Sequence, residues 1–157
     1  MGTNAVVRTA GEGDAYWVLG GLYEVKLSSE ETSGAMTVMQ FTIPEGMGPP
    51  LHVHDSDETV TVLEGRARFH IGSDTVELGP GDVAYFPAGT RETFEPIGQV
   101  RVAVTYAPGG IDKFFAEVGE PAKSRAIPPA PQFPPDLEQL AVIAGRHGLH
   151  LLPPPGP

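Results

Sequence analysis

Over the first two thirds of the chain, apolar and polar residues alternate in short runs. Tyr23-Glu24-Val25-Lys26-Leu27, Thr59-Val60-Thr61-Val62 and Val100-Arg101-Val102-Ala103-Val104-Thr105-Tyr106 all repeat with period two. Successive side chains on a strand point to opposite faces, so this period predicts half-buried strands. Turn formers separate the runs: Pro44-Glu45-Gly46, Gly48-Pro49-Pro50, Glu64-Gly65, Gly72-Ser73-Asp74, Gly79-Pro80-Gly81-Asp82 and Pro87-Ala88-Gly89. Short strands at such even spacing predict an all-β sandwich or barrel, with about eight to ten strands between residues 5 and 107.

The period changes near residue 110. Ile111, Phe114, Phe115 and Val118 recur at helical spacing, and Gly119 follows as a stop. Residues 121–135 hold six prolines and predict a stiff, extended connector. Asp136 is placed to cap a second helix, with Gln139 three residues on. Leu137, Leu140, Ala141 and Ala144 would form its apolar stripe, and Gly148 its end. Neither helix can bury its stripe alone. The division expected is a β-barrel over 1–110 and, over 111–157, a helical and proline-rich extension packed on the barrel or on a partner subunit. The last residues, Pro153 to Pro157, are expected to be disordered.

Composition narrows the chemistry. The 157 residues suit one domain. There are no cysteines, so disulfides, thiolate metal sites and cysteine nucleophiles are excluded. Twenty acidic against ten basic residues give a formal charge of −10. That field repels phosphate backbones and anionic lipid, so neither nucleic acid nor membrane is an expected partner. No apolar run approaches the roughly 18 residues of a membrane span. The start, Met1-Gly2-Thr3-Asn4-Ala5, lacks a basic segment followed by an apolar one, so no signal peptide is expected and the default location is the cytoplasm.

One segment carries chemistry: Gly46, then His52, His54, Glu58 and Gly65. His52 and His54, two apart on a strand, share a face. Glu58 opens the next strand in phase with Val60 and Val62, which puts its carboxylate on the buried side. A buried carboxylate is costly unless it is paired or meets a cation. Two imidazoles and a carboxylate on adjoining strands make a facial metal site with positions left open. The ordinary alternative is a pair of polar loop histidines and a solvated edge glutamate; strand phase and glycine punctuation argue against it.

These residues resemble the first motif of the cupin superfamily, Gly-x5-His-x-His-x3,4-Glu-x6-Gly, at every position. Gly81, Pro87 and Gly89 resemble the second, Gly-x5-Pro-x-Gly-x2-His-x3-Asn, after a gap of 15 residues. The likeness is close over residues 35–107. It implies a jelly-roll β-barrel of roughly six to eight strands around one divalent ion (Fe, Mn, Zn or Ni), and a homodimer. Two positions depart from the pattern: Glu92 stands at the usual third histidine and Pro96 at the asparagine. Glu92 is either a fourth ligand, a free general base, a partner of Arg91 or Arg101, or a surface loop residue.

The remaining histidines fit ordinary roles. Ala67, Phe69 and Ile71 are in phase, which leaves Arg66, Arg68 and His70 outside. His147 suits a helix C-terminus, where its charge would meet the dipole. His150 lies in the tail; either would reach the metal only if the tail folded over the barrel mouth. Phe41, Met39, Phe69, Tyr85 and Phe94 are candidates to line the cavity.

There is no GxSxG elbow, phosphate loop or dinucleotide fingerprint. The resemblance points to a small-molecule metalloenzyme acting on an apolar, aromatic or enolic substrate. The first reading is a quercetinase-like dioxygenase; the second is a polyketide cyclase that consumes no O2. In both, Glu58 or Glu92 would take a substrate proton. The third is a non-catalytic module that binds a small ligand.

Overall fold

The computed structural model describes residues 4–154. Met1 to Thr3 and Pro155 to Pro157, the latter within the terminal run expected to be disordered, lie outside the described residues. The strands are β1 (Ala15–Val18), β2 (Gly21–Leu27), β3 (Thr37–Ile43), β4 (His52–His54), β5 (Asp57–Ile71), β6 (Asp74–Leu78), β7 (Val83–Phe86), β8 (Glu92–Ala107), β9 (Glu120–Pro121) and β10 (Leu149–Leu151). The helices are α1 (Ile111–Val118) and α2 (Leu137–Arg146). Alternation reads as expected at the start of β5, where Val60 and Val62 are buried, and in the second half of β8, where Val100, Val102, Val104 and Tyr106 are buried.

Strand β8 organises the fold. It runs antiparallel to β3, to β4 and along nearly all of β5. One path of the sheet reads β10-β4-β8-β3-β2-β1-β9, and β5 adds β6 and β7. This ladder does not close into a ring, so the closed barrel is corrected to an open jelly roll. The inner faces of β2, β3, β5 and β8 form the core, with Met39, Val62, Val100 and Val102 fully enclosed.

Gly65 is not a turn between strands. β5 continues through it, with register shifts between Val62 and Glu64 and between Glu64 and Arg66. Its φ is +76°, and a Cβ there would lie 2.2 Å from the Gln99 carbonyl oxygen. Only glycine allows β8 to pass so close at this bulge.

β2 also departs from simple alternation, with Leu22 through Val25 buried on both faces. The proline-rich connector explains its outer face. Arg125 ion-pairs with Glu24 at 2.9 Å, and Trp17 donates its indole N–H to the Ala126 carbonyl at 2.8 Å. The connector is thus pinned across β1 and β2.

Helix α2 starts where the sequence indicates: the Asp136 carboxylate accepts from the Gln139 N–H at 3.0 Å. Its buried stripe is rotated slightly from the expected one. Ala144 is enclosed and Leu140 and Ile143 are partly buried, while Leu137 is exposed. The two helices touch each other, and α1 also packs on β1 and β3. Ile111, Phe114 and Phe115 of α1 are buried and line the cavity. After Gly148 the chain returns as β10, which pairs with β4.

Candidate metal centre

β4 places two imidazoles side by side because the Gly48-Pro49-Pro50 segment is held against β8. The Thr93 hydroxyl donates to the Pro49 carbonyl at 2.6 Å, and a Cβ on Gly48 would stand 2.2 Å from the Phe94 carbonyl oxygen. His52 and His54 both face inward and are buried. Their rings meet edge to face with centroids 4.8 Å apart. Glu58, second residue of β5, and Glu92, first residue of β8, complete the group. The cross-strand pairing of His52 with Glu92 sets the last of these.

Each of the four side chains offers one ligand atom, and these atoms lie within 4.8 Å of one another. His54 Nε2 is 3.2 Å from Glu58 Oε2, and His52 Nε2 is 3.4 Å from Glu92 Oε1. His52 Nδ1 is 2.7 Å from the Pro50 carbonyl. A carbonyl can only accept, so Nδ1 carries the hydrogen and Nε2 presents its lone pair to the carboxylates. This is the arrangement that orients a histidine ligand.

The electrostatics mark the same point. Burial, and then the nearby Glu92, push the Glu58 carboxyl well above the usual carboxylate range. Burial, followed by His52 and His150, lowers the His54 imidazole to about 3. Glu58 Oε2 is sealed from solvent and has no hydrogen-bond partner. An unpaired buried acceptor is disfavoured by about 1–3 kcal/mol. A divalent cation removes the conflict, because two neutral imidazoles and two carboxylates carry the charge that balances it. The donor set therefore fits a metal ion, and nitrogen with oxygen donors suits Zn, Fe, Mn or Ni.

Glu92 is buried rather than in a surface loop. Arg101 is engaged elsewhere, by Glu64 and Gln40, both at 3.1 Å. His70 lies outside, near Thr75 and Glu95. His147 reaches Glu117 of α1, not the cluster. The tail does fold to the mouth, but His150 pairs in register with Val53, which points away from the cluster, and it binds Asp55 at 3.0 Å.

A cavity of about 70 Å³ opens beside the cluster. Phe41 and Phe94 line it as expected. Met39 and Phe69 are core residues, and Tyr85 is 60 % exposed on β7. The walls that sequence reasoning missed are Tyr23, Tyr106, Phe114, Phe115, Leu149 and Leu151. Tyr106 was visible as the last in-phase residue of its strand. Leu149 and Leu151 carried only the weak signal of a three-residue alternation.

Known proteins resemble this chain in sequence and in fold. Residues 39–111 match the family model described as the cupin domain. An uncharacterized protein of Streptomyces coelicolor is 32% identical over 74 residues, 46% of this chain and 70% of that protein. Quercetin 2,3-dioxygenase of Bacillus subtilis is 26% identical over 122 residues, 76% of this chain but only 36% of the enzyme's length. Among solved structures, the polyketide cyclase RemF of Streptomyces resistomycificus superposes with a TM-score of 0.51 at 20% identity, over 65% of this chain and 72% of that one.

Proposed function

Because the chain belongs to the cupin family, we propose that it is a metal-dependent enzyme acting on a small aromatic or enolic substrate, as a quercetinase-like dioxygenase. His52, His54, Glu58 and Glu92 are its proposed ligands. The observation that carries this reading is Glu58 Oε2, a sealed carboxylate oxygen without a partner, 3.2 Å from His54 Nε2. When bound, the ion would act as a Lewis acid toward a substrate oxygen and, in the dioxygenase, promote reaction with O2.

The chain's own residues supply the rest. The Pro50 carbonyl holds His52 in the ligating tautomer. The apolar walls exclude water. Glu58 and Glu92 are the groups placed to accept a substrate proton. The cavity of about 70 Å³ is far below the roughly 300–1,000 Å³ of pockets for drug-sized ligands. That favours a single-ring or short enolic substrate over a multi-ring polyphenol.

The second reading is a cyclase that takes up no oxygen, favoured by the same carboxylates poised as bases. Elemental analysis of the purified protein and of Glu92→Ala, followed by oxygen-electrode runs with catechols and enolic diketones, tests the proposal. Expected are near-stoichiometric metal, loss of metal in Glu92→Ala and O2 uptake with one substrate class. Metal retained by Glu92→Ala would overturn its ligation. Turnover without O2 uptake would favour the cyclase, and a wild-type protein that takes no metal would leave the ligand-binding module as the better reading.

A further inference from the structure

Two phenols in the cavity are unaccounted for by the metal site. Tyr106, on β8, is 3 % exposed and Tyr23, on β2, is 6 % exposed. Both line the cavity that holds His52, His54, Glu58 and Glu92. Neither hydroxyl makes a hydrogen bond among the described residues, and neither oxygen is sealed, since Glu58 Oε2 is the one buried side-chain polar atom there without a partner. Elsewhere in the core such groups are satisfied: buried Asp112 accepts from the Thr37 hydroxyl at 2.6 Å and the Ser29 hydroxyl at 3.1 Å. Both hydroxyls are therefore open to whatever occupies the cavity, and two phenols among otherwise apolar walls suit a ligand that carries hydrogen-bond acceptors.

Their placement says which part of a ligand they meet. The Tyr106 ring lies 4.9 Å from the His54 ring, and its strand register sets it opposite Glu58. A phenol, protonated up to about pH 10, donates at neutral pH. Tyr23 stacks on Phe115 with centroids 4.7 Å apart and leans on Phe41 at the same distance. The rest of the lining is apolar, including Phe94, Leu149 and Leu151.

We infer that the Tyr106 hydroxyl donates a hydrogen bond to a substrate oxygen, with Tyr23 as a second donor, so that the cavity selects a small planar compound bearing two oxygen atoms. One oxygen faces the His/Glu cluster and the other faces the phenols, while the aromatic walls hold the plane between them. This rests on the metal-enzyme reading above. Tyr106 is thereby a substrate-contacting residue and not a ligand or a support of one.

The test uses the metal-loaded protein and 4-nitrocatechol, a single-ring probe with two adjacent oxygens whose absorption shifts when it ligates a metal. Tyr106→Phe should keep its metal content and its Tm, since no protein hydrogen bond is lost. It should bind the probe about 5- to 30-fold more weakly. Tyr23→Phe should show a smaller loss in the same direction, and the double variant the largest. Equal probe affinity in wild type and Tyr106→Phe overturns the inference while leaving the metal site intact. A fall in metal affinity or in Tm also overturns it, because the hydroxyl would then be supporting a ligand or the fold. Metal-loaded wild type that does not bind the probe overturns it too. Wild type that takes up no metal overturns the site reading and this inference together, and elemental analysis distinguishes that failure from the others.

Discussion

The substitution Glu58→Gln in metal-stripped protein tests the electrostatics of the site at a single side chain. In the folded protein without metal, burial and Glu92 raise the Glu58 carboxyl, so it keeps its proton above the pH at which the unfolded chain has lost it. A group raised on folding contributes stability that is complete below its unfolded value, near 4.5. That stability is lost as pH rises through the folded value. The loss amounts to about 1.4 kcal/mol for each pH unit across which only the folded state holds the proton. For a chain of this size that is about 3–5 °C in Tm per unit. The amide introduced by Glu58→Gln cannot titrate. The Tm of the variant minus that of wild type should therefore increase from pH 5 to pH 9. His54, lowered to about 3, destabilises both proteins as pH falls below 6.5 and largely cancels in that difference. Differential scanning fluorimetry after EDTA treatment and dialysis measures it. Addition of metal should invert the order, since ligand at 100-fold its Kd stabilises wild type by about 2.7 kcal/mol, and the variant, lacking an anionic ligand, gains less. A difference that stays flat across the pH range, or a variant stabilised by metal as much as wild type, would refute the reasoning.

Two further outcomes follow from the geometry around the cluster. Gly48→Ala places a Cβ 2.2 Å from the Phe94 carbonyl oxygen and should lower stability by about 2–4 kcal/mol. It should also weaken metal binding about 10- to 100-fold by moving the Pro50 carbonyl that orients His52, read by competition with a chelating dye. His150→Ala removes only the exposed pair with Asp55, so stability should change by less than about 1 kcal/mol and metal stoichiometry should not change at all.

The proposed ligands were legible because strand geometry makes spacing equivalent to direction. His-x-His on β4 and a glutamate in phase with Val60 and Val62 leave little freedom about which way the side chains point. The capping of α2 by Asp136 was legible for the same reason, since it is settled within four residues. Glu92 was ambiguous because its neighbours along the chain do not decide its surroundings. The pairing of β4 with β8, 40 residues away in sequence, sets it beside His52. Gly65 read as a turn because its positive φ is the same signature in a turn and in a bulge.

The sequence by itself thus determined the strand content, the helices of the tail and three of the four residues proposed to hold a metal, all properties of local period and residue type. Tertiary structure alone decided that the sheet stays open and that the connector covers β1 and β2. It also decided that Leu149 and Leu151 close the cavity, and that Tyr23 and Tyr106 look onto the same space as the cluster. Each of these depends on contacts between segments far apart in the chain. Such contacts are chosen by the burial of whole faces against one another, and no short window of sequence records them.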